Sequence, residues 1–183
     1  MRARMALKYA AIPVEIREIS LKDKPAHMLQ VSPKGTVPVL VLPSGKVIDQ
    51  SIEIMYWALN ESDVDGWLSA DASQTRQLID ENDGSFKQLL DQYKYAIRFP
   101  EQSAQVYRTQ SEAFLSKLER KLEETSFLVA DHLSFADIAI FPFIRQFAAV
   151  DATWFESADY IKLKTWLKHL VASELFQSVM QKQ

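Results

Sequence analysis

The distribution of strand and helix signals constrains this chain most, because it changes abruptly at one point. All four glycines lie within the first 84 residues, and the segments rich in turn residues end near Gly66. Beyond that point strand signals nearly vanish, and long stretches with helical periodicity follow. A chain of 183 residues is long enough for one large domain or two small ones. The change therefore predicts two domains, over residues 1–62 and 70–183.

The first domain combines helices with strands. Residues 1–11 contain no helix breaker and place their apolar side chains on one side, which predicts a helix packed on a sheet. Partial alternation of apolar and charged residues over 12–19 predicts an edge strand with one solvated face. Residues 37–42 are all apolar, which predicts a strand covered on both faces and followed by a hairpin turn at 43–45. A short helix precedes this hairpin, and another over 52–60 follows it.

The second domain is predicted to be a bundle of helices. Helical stretches run over 73–98 and 101–124, and Pro100 separates them. In the later stretch LSFADIAI, Ser134 can cap a helix start while Asp137, three residues on, bonds back to the cap. We interpret this capping box as a stabilising element.

Composition excludes several classes of function. Without cysteine these residues offer no disulfide, thiolate nucleophile or cysteine-based zinc site, and the three histidines show no ligand-like spacing, so no metal site is predicted. The net charge of −3 gives no sign of nucleic-acid binding. Apolar runs fall short of the roughly 20 residues that span a bilayer. We therefore expect a cytoplasmic protein without a membrane partner.

Residues 1–60 carry eight Lys and Arg against five Asp and Glu. This excess of positive charge favours an anionic ligand in the first domain.

Several short motifs occur in an order typical of one superfamily. A Lys-Pro pair at Lys24 precedes a short helix, T-V-P-V-L begins at Thr36, a Gln-Ser pair at Gln50 precedes another helix, and S-F-A-D begins at Ser134. Together they resemble the glutathione transferase superfamily over essentially the whole chain, with its omega-like and glutaredoxin-2-like members most similar. The resemblance implies an α+β, truncated thioredoxin-like N-terminal domain followed by an all-α C-terminal bundle.

The resemblance also implies a binding site for glutathione. A cis bond before Pro38 would turn the amide and carbonyl of Val37 outward, where the cysteinyl part of the tripeptide pairs like an added strand. Gln50 and Ser51, at a helix start with free amides and a positive dipole end, suit the γ-glutamyl group. Lys24 matches the lysine that approaches the carboxylate at the glycine end.

Each of these residues has a structural alternative. Pro38 can be a proline at the entry of a strand, Ser51 a helix cap, and Lys24 a solvated surface lysine. Gln50 stands where many members of the superfamily carry an acid, and this loss of one charge lowers the expected affinity for the γ-glutamyl ammonium group.

By resemblance, a first strand and a helix start with the catalytic Cys, Ser or Tyr precede the residue matched by Met1. We therefore expect this chain to hold glutathione weakly and to turn over nothing, so no catalytic residue is assigned. Three explanations stay open: a fragment or gene model that starts at an internal methionine, a sheet that closes over the gap, and a strand from a partner chain. We expect the first, with a compensating dimer contact.

Two functions follow from this interpretation. The first is glutathione transfer or thiol-transferase chemistry, with glutathione as co-substrate and a small electrophile or disulfide as second substrate, in a homodimer. The second is a non-catalytic interaction protein of the stringent-starvation type.

Aromatic residues could line a pocket for the second substrate, but helical spacing is more typical of a core, so they are assigned no site: Tyr93, Tyr95, Phe99 and Tyr107.

Overall fold

The computed structural model describes residues 1–181 and divides them into two compact units. The first unit contains Met1–Asp65 and the described residues from Ser178 on, and the second is Gly66–Gln177. The helices and strands are α1 (Arg2–Tyr9), α2 (Ala26–Val31), β1 (Leu40–Val41), β2 (Val47–Ile48), α3 (Ser51–Glu61), α4 (Ala72–Glu81), α5 (Lys87–Lys94), α6 (Ala104–Glu124), α7 (Phe135–Val150), α8 (Ala152–Ser157), α9 (Ile161–Ala172) and α10 (Glu174–Met180).

The core of the first unit lies where α1 packs against α3. Helix α1 carries apolar side chains on one stripe, so one face can be removed from water. Its buried residues are Ala3, Met5, Ala6 and Leu7. Helix α3 contributes a matching stripe of Ile54, Met55, Ala58 and Leu59. This packing joins α1 to α3, so residues from the first turns of both helices can interact.

A short hairpin follows α2. Strand β1 pairs with β2 in antiparallel register, with Leu40 opposite Ile48, and the turn includes Gly45 at φ +82°. The predicted hairpin is confirmed. The prediction of a strand from 37 to 42 covered on both faces is wrong, because the strand has two residues and Val37 and Val41 are 51% and 50% exposed. Apolar character alone does not supply a covering layer.

The predicted edge strand over 12–19 is wrong. Among residues 1–181 no segment pairs with it, and only an isolated bridge joins Ser20 to Asp23. Its charged residues instead make exposed ion pairs, such as Arg4 with Glu18 at 2.7 Å. The alternating pattern is a local signal, whereas a strand requires the backbone of a second segment.

The second unit is helical, as predicted. The continuous helix expected over 73–98 is divided: a π-helix at Asn82–Phe86 joins α4 to α5, and a 3₁₀ turn at Ala96–Arg98 follows. Helix α6 begins after Ser103, whose hydroxyl accepts the N–H of Val106. No helix among the described residues is both long enough and apolar enough to cross a membrane.

Helix α7 is the centre of the second unit. Ten of its sixteen residues are buried, so it is surrounded by other helices instead of presenting a single apolar face. Phe147 on α7 and Phe114 on α6 both pack against Phe86, with ring centroids 5.7 and 4.8 Å away. This aromatic cluster packs three helical segments together.

Candidate functional site

The loop between α2 and β1 is held by Asp49. Ser32 Oγ donates a hydrogen bond to Asp49 Oδ2, and Lys34 Nζ donates to Oδ1, each at 3.2 Å. The bond from Lys34 is the main reason why the pKa of Asp49 lies below its usual value. Because Asp49 directly precedes Gln50, these bonds tie the loop to the start of α3.

Gly35 allows this loop to pass close to Lys24. The glycine has φ +59°, and a Cβ atom there would lie 3.0 Å from Leu29 Cδ2 and 3.2 Å from Lys24 Nζ. Both the left-handed backbone and the close neighbours favour glycine. The exposed Lys24 ammonium therefore lies beside Gly35, which is two residues before Val37 in the loop. Sequence reasoning did not assign a role to Gly35, although a glycine before an extended segment is a signal for one.

The backbone of Val37 is open to a ligand. The Val37–Pro38 peptide bond is cis. Within the described residues, neither the N–H nor the C=O of Val37 has a hydrogen-bond partner, and the residue is half exposed. An exposed segment with a free donor and a free acceptor can pair with an extended peptide.

Two residues, Asp49 and Gln50, separate the strand β2 from the start of α3. Gln50 is the N-cap residue and makes no side-chain capping bond, while Ser51 is the first helical residue. The alternative of Ser51 as the helix cap is therefore wrong. Helix N–H groups without a side-chain cap, together with the positive end of the helix dipole, attract a carboxylate.

Arg2 adds a cation at the start of α3, which sequence reasoning missed. Its Nε donates a 2.9 Å hydrogen bond to Ser51 Oγ, across 49 residues of sequence. No local pattern could have indicated this bond, because it depends on how α1 packs on α3. The guanidinium and the helix dipole together make the start of α3 electropositive.

The hydroxyl of Tyr9, on the same helix as Arg2, is already engaged. It donates to Asp63 Oδ1 at 3.2 Å and accepts the backbone N–H of Asp65 at 2.6 Å. Burial is the main cause that raises the pKa of Tyr9 to about 12. This phenol therefore stays protonated at neutral pH and stabilises the end of the first unit.

The remaining predicted residues, Ser134 and Asp137, lie in the second unit and are buried. Asp137 accepts the backbone N–H of Ser134 at 2.9 Å, and the two form a capping box at the start of α7. Within residues 1–181 no group of three or more His, Asp or Glu side chains is placed to hold a metal ion.

The first unit thus presents groups of the kind that can bind an anion and an extended peptide. It combines the free backbone of Val37, the electropositive start of α3 and the ammonium of Lys24. These groups offer hydrogen bonds and positive charge to a small extended peptide with carboxylates.

Two family models match the chain. The model described as glutathione S-transferase, N-terminal domain, covers residues 1–61, and the model described as glutathione S-transferase, C-terminal domain, covers residues 76–169. The fold is accordingly a thioredoxin-like first unit followed by a helical second unit. The chain belongs to the glutathione S-transferase superfamily.

Two curated proteins are similar to this chain in sequence. Glutathione S-transferase U19 of Arabidopsis thaliana is 28% identical over 186 residues, covering 95% of this chain and 81% of the relative. Elongation factor 1-gamma of Drosophila melanogaster is 25% identical over 145 residues, covering 76% of this chain. The chain spans only about a third of that factor, 34% of its length.

Solved structures have the same fold at low identity. A glutathione S-transferase from Rhodospirillum rubrum F11 has a TM-score of 0.81 at 19% identity, covering 100% of this chain and 87% of that chain. A glutathione S-transferase from Methylobacillus flagellatus, solved with GSH bound, has a TM-score of 0.77 at 19% identity, covering 97% and 91%.

Proposed function

We propose that this chain binds glutathione on its first unit. The observation that carries the proposal is the unpaired, half-exposed backbone of Val37, which offers one donor and one acceptor to the cysteinyl part of the tripeptide. Family membership and a solved relative with GSH bound support glutathione as the peptide.

The two carboxylates of the tripeptide are assigned to different groups of the first unit. The γ-glutamyl carboxylate meets the uncapped amides at the start of α3, next to Ser51 and the Arg2 guanidinium. Gln50 contributes a neutral amide to the same group. The glycine-end carboxylate meets Lys24, which lies next to the loop that carries Val37.

These residues bind glutathione but do not turn it over. Activation of the glutathione sulfur requires a group that stabilises a thiolate. The hydroxyl of Tyr9 is held by Asp63 and Asp65, with its pKa raised to about 12, and the hydroxyl of Ser51 accepts a bond from Arg2. Transfer of glutathione to a small electrophile, or exchange with a disulfide, is the reaction expected for the glutathione S-transferase superfamily.

Calorimetric titration tests the proposal. Glutathione added to about 10 mM should give saturable binding at one site per chain, with a Kd in the millimolar range. Lys24→Met should weaken binding about two- to fivefold, the value of one exposed charge pair. Lys22→Met removes a neighbouring exposed lysine and should leave the Kd unchanged. An absence of binding, or an equal loss in both variants, contradicts the proposal.

A second experiment tests the assignment of binding without turnover. The chain is incubated with glutathione and 1-chloro-2,4-dinitrobenzene, and the absorbance of the conjugate is followed against a protein-free control. We expect the rate of the control. Conjugation well above that rate shows that some group of this chain activates the sulfur.

The similarity to a protein named as an elongation factor favours a second candidate function, a non-catalytic interaction protein like the stringent-starvation type. Absence of glutathione binding would favour it. In both cases we infer a homodimer in the cytoplasm, as in the expectation from the resemblance. Light scattering of the purified chain tests the dimer, and a monomer mass contradicts it.

A further inference from the structure

A groove of about 320 Å³ lies between α9 and the end of α6 with the loop that follows it, entirely within the second unit. It is called the α6–α9 groove below. Its volume is at the lower end of the range for small-molecule sites, about 300–1,000 Å³. Its principal lining residues are Leu122, Ser126, Phe127, Lys162, Trp166 and His169.

The floor of the α6–α9 groove is aromatic and fixed in place. Trp166 is buried, and its indole N–H donates a 2.8 Å hydrogen bond to Asp137. The backbone N–H of Phe127 donates to Ala130 O at 3.0 Å, and the preceding N–H, of Ser126, donates to Asp131 Oδ1 at 3.0 Å. These bonds hold the loop that carries Phe127, so the floor is formed before any ligand arrives.

The rim of the groove is basic and its groups are unpaired. Lys162 and His169 lie seven residues apart on one face of α9, and within residues 1–181 neither side chain has an ion-pair partner. The nearby carboxylate of Glu119 is already engaged, because it accepts the backbone N–H groups of Lys162 and Leu163 at 2.8 and 2.7 Å. The ammonium of Lys162 is thus available to an anion.

Lys168, another lysine of α9, differs from Lys162 because its ammonium is already paired with a carboxylate. Lys168 forms a 3.0 Å ion pair with Glu156. The His169 ring meets the Phe127 ring edge-on, with centroids 5.9 Å apart, so it stands at the mouth of the aromatic floor. The α6–α9 groove thus combines an aromatic surface with the ammonium of Lys162.

We propose that the α6–α9 groove binds a small aromatic carboxylate. The ring lies against Phe127 and Trp166, where apolar area is removed from water. The carboxylate pairs with Lys162 and accepts a hydrogen bond from His169. Charge complementarity selects this occupant, since a carboxylate forms a charge-assisted hydrogen bond with the ammonium of Lys162 that a neutral aromatic molecule cannot form. Every residue of this site belongs to the second unit, so the inference does not depend on glutathione binding.

The test uses 3-phenylpropionate as probe and 3-phenylpropionamide as its neutral counterpart. Titration calorimetry should give a Kd for the acid that is at least threefold lower than for the amide, the effect of one partly exposed charge pair. The indole N–H resonance of Trp166 should shift during the acid titration, which locates the ligand in the groove.

Two variants make the result specific. Lys162→Gln should remove the preference for the acid, while Lys168→Gln, a matched change on the same helix, should keep it. Both positions are exposed, so neither change disturbs the core. Equal affinity for acid and amide, an unshifted Trp166 resonance, or the same loss in both variants overturns the proposal.

Discussion

The indole N–H of Trp166 donates a 2.8 Å hydrogen bond to the buried carboxylate of Asp137, twenty-nine residues earlier in the chain. The same carboxylate accepts the backbone N–H groups of Leu128 and Ser134 at 3.0 and 2.9 Å. One side chain thus joins α9, the start of α7 and the segment before it. Burial raises the pKa of Asp137, and these hydrogen bonds oppose that rise by stabilising its charged form.

Asp137→Ala should therefore destabilise the protein severely. It leaves three buried N–H donors without their acceptor, at about 1–3 kcal/mol each, so the free energy of unfolding should fall by at least about 3 kcal/mol. Urea denaturation followed by far-ultraviolet circular dichroism measures this fall.

Asp131→Ala is the matched control for that change. Asp131 is exposed and accepts one backbone N–H, from Ser126 at 3.0 Å. Its loss should lower the free energy of unfolding by less than about 1 kcal/mol, since water replaces the exposed bond. Equal falls in the free energy of unfolding would show that the buried hydrogen bonds of Asp137 stabilise the chain no more than the exposed bond of Asp131.

Alkaline pH should weaken the fold through Tyr9. An unfolded tyrosine ionises at about pH 10, whereas in the folded chain the pKa of Tyr9 is raised to about 12. Between these values the unfolded state releases a proton that the folded state retains. The stabilising contribution is therefore fully present below pH 10 and is lost as the pH rises towards 12.

Tyr9→Phe is the variant that isolates this effect. It removes the titrating group, so its free energy of unfolding should decline less between pH 10 and 12 than that of the parent chain. Denaturation at a series of pH values compares the two slopes. Parallel slopes would mean that Tyr9 ionises equally in both states.

Gly35 should tolerate substitution less well than Gly45. Both have positive φ, but a Cβ at Gly45 meets nothing within 4 Å, whereas at Gly35 it meets Leu29 Cδ2 at 3.0 Å and Lys24 Nζ at 3.2 Å. Gly45→Ala should cost about 1 kcal/mol of stability from the backbone alone.

Gly35→Ala adds a steric effect to this backbone cost, so it should destabilise the chain further. It should also weaken glutathione binding, because Leu29 and Lys24 must move away. Thermal denaturation and calorimetric titration of both variants measure the two effects. A Gly35→Ala variant as stable as Gly45→Ala, with an unchanged Kd, would contradict this role of the glycine.

Local patterns predicted helices more accurately than strands. The helix expected over 52–60 is found at Ser51–Glu61, because its apolar spacing and polar start are encoded within a few residues. The strand expected over 12–19 does not form, because pairing depends on the backbone of another segment. A strand pattern states which face would be apolar, but it does not state which segment lies beside it.

The same limit applies to the residues proposed for the candidate site. Ser51 and Val37 could be proposed from the sequence because their motifs lie within short segments. Arg2 could not be, since its bond to Ser51 spans 49 residues and exists only because α1 packs on α3. The close approach of Lys24 to Gly35 likewise depends on how the loop folds back.

The most direct test of the account follows backbone amide resonances of the ¹⁵N-labelled chain during a titration with glutathione. The N–H of Val37 and those of the first turn of α3, from Ser51, should shift together and saturate with one Kd. The N–H of Val47, in the strand β2 that pairs with β1, is the internal reference and should move far less. Saturating shifts at Val37 and Ser51 are the predicted result. Shifts that are absent from these two residues while glutathione binds elsewhere would contradict the proposed site.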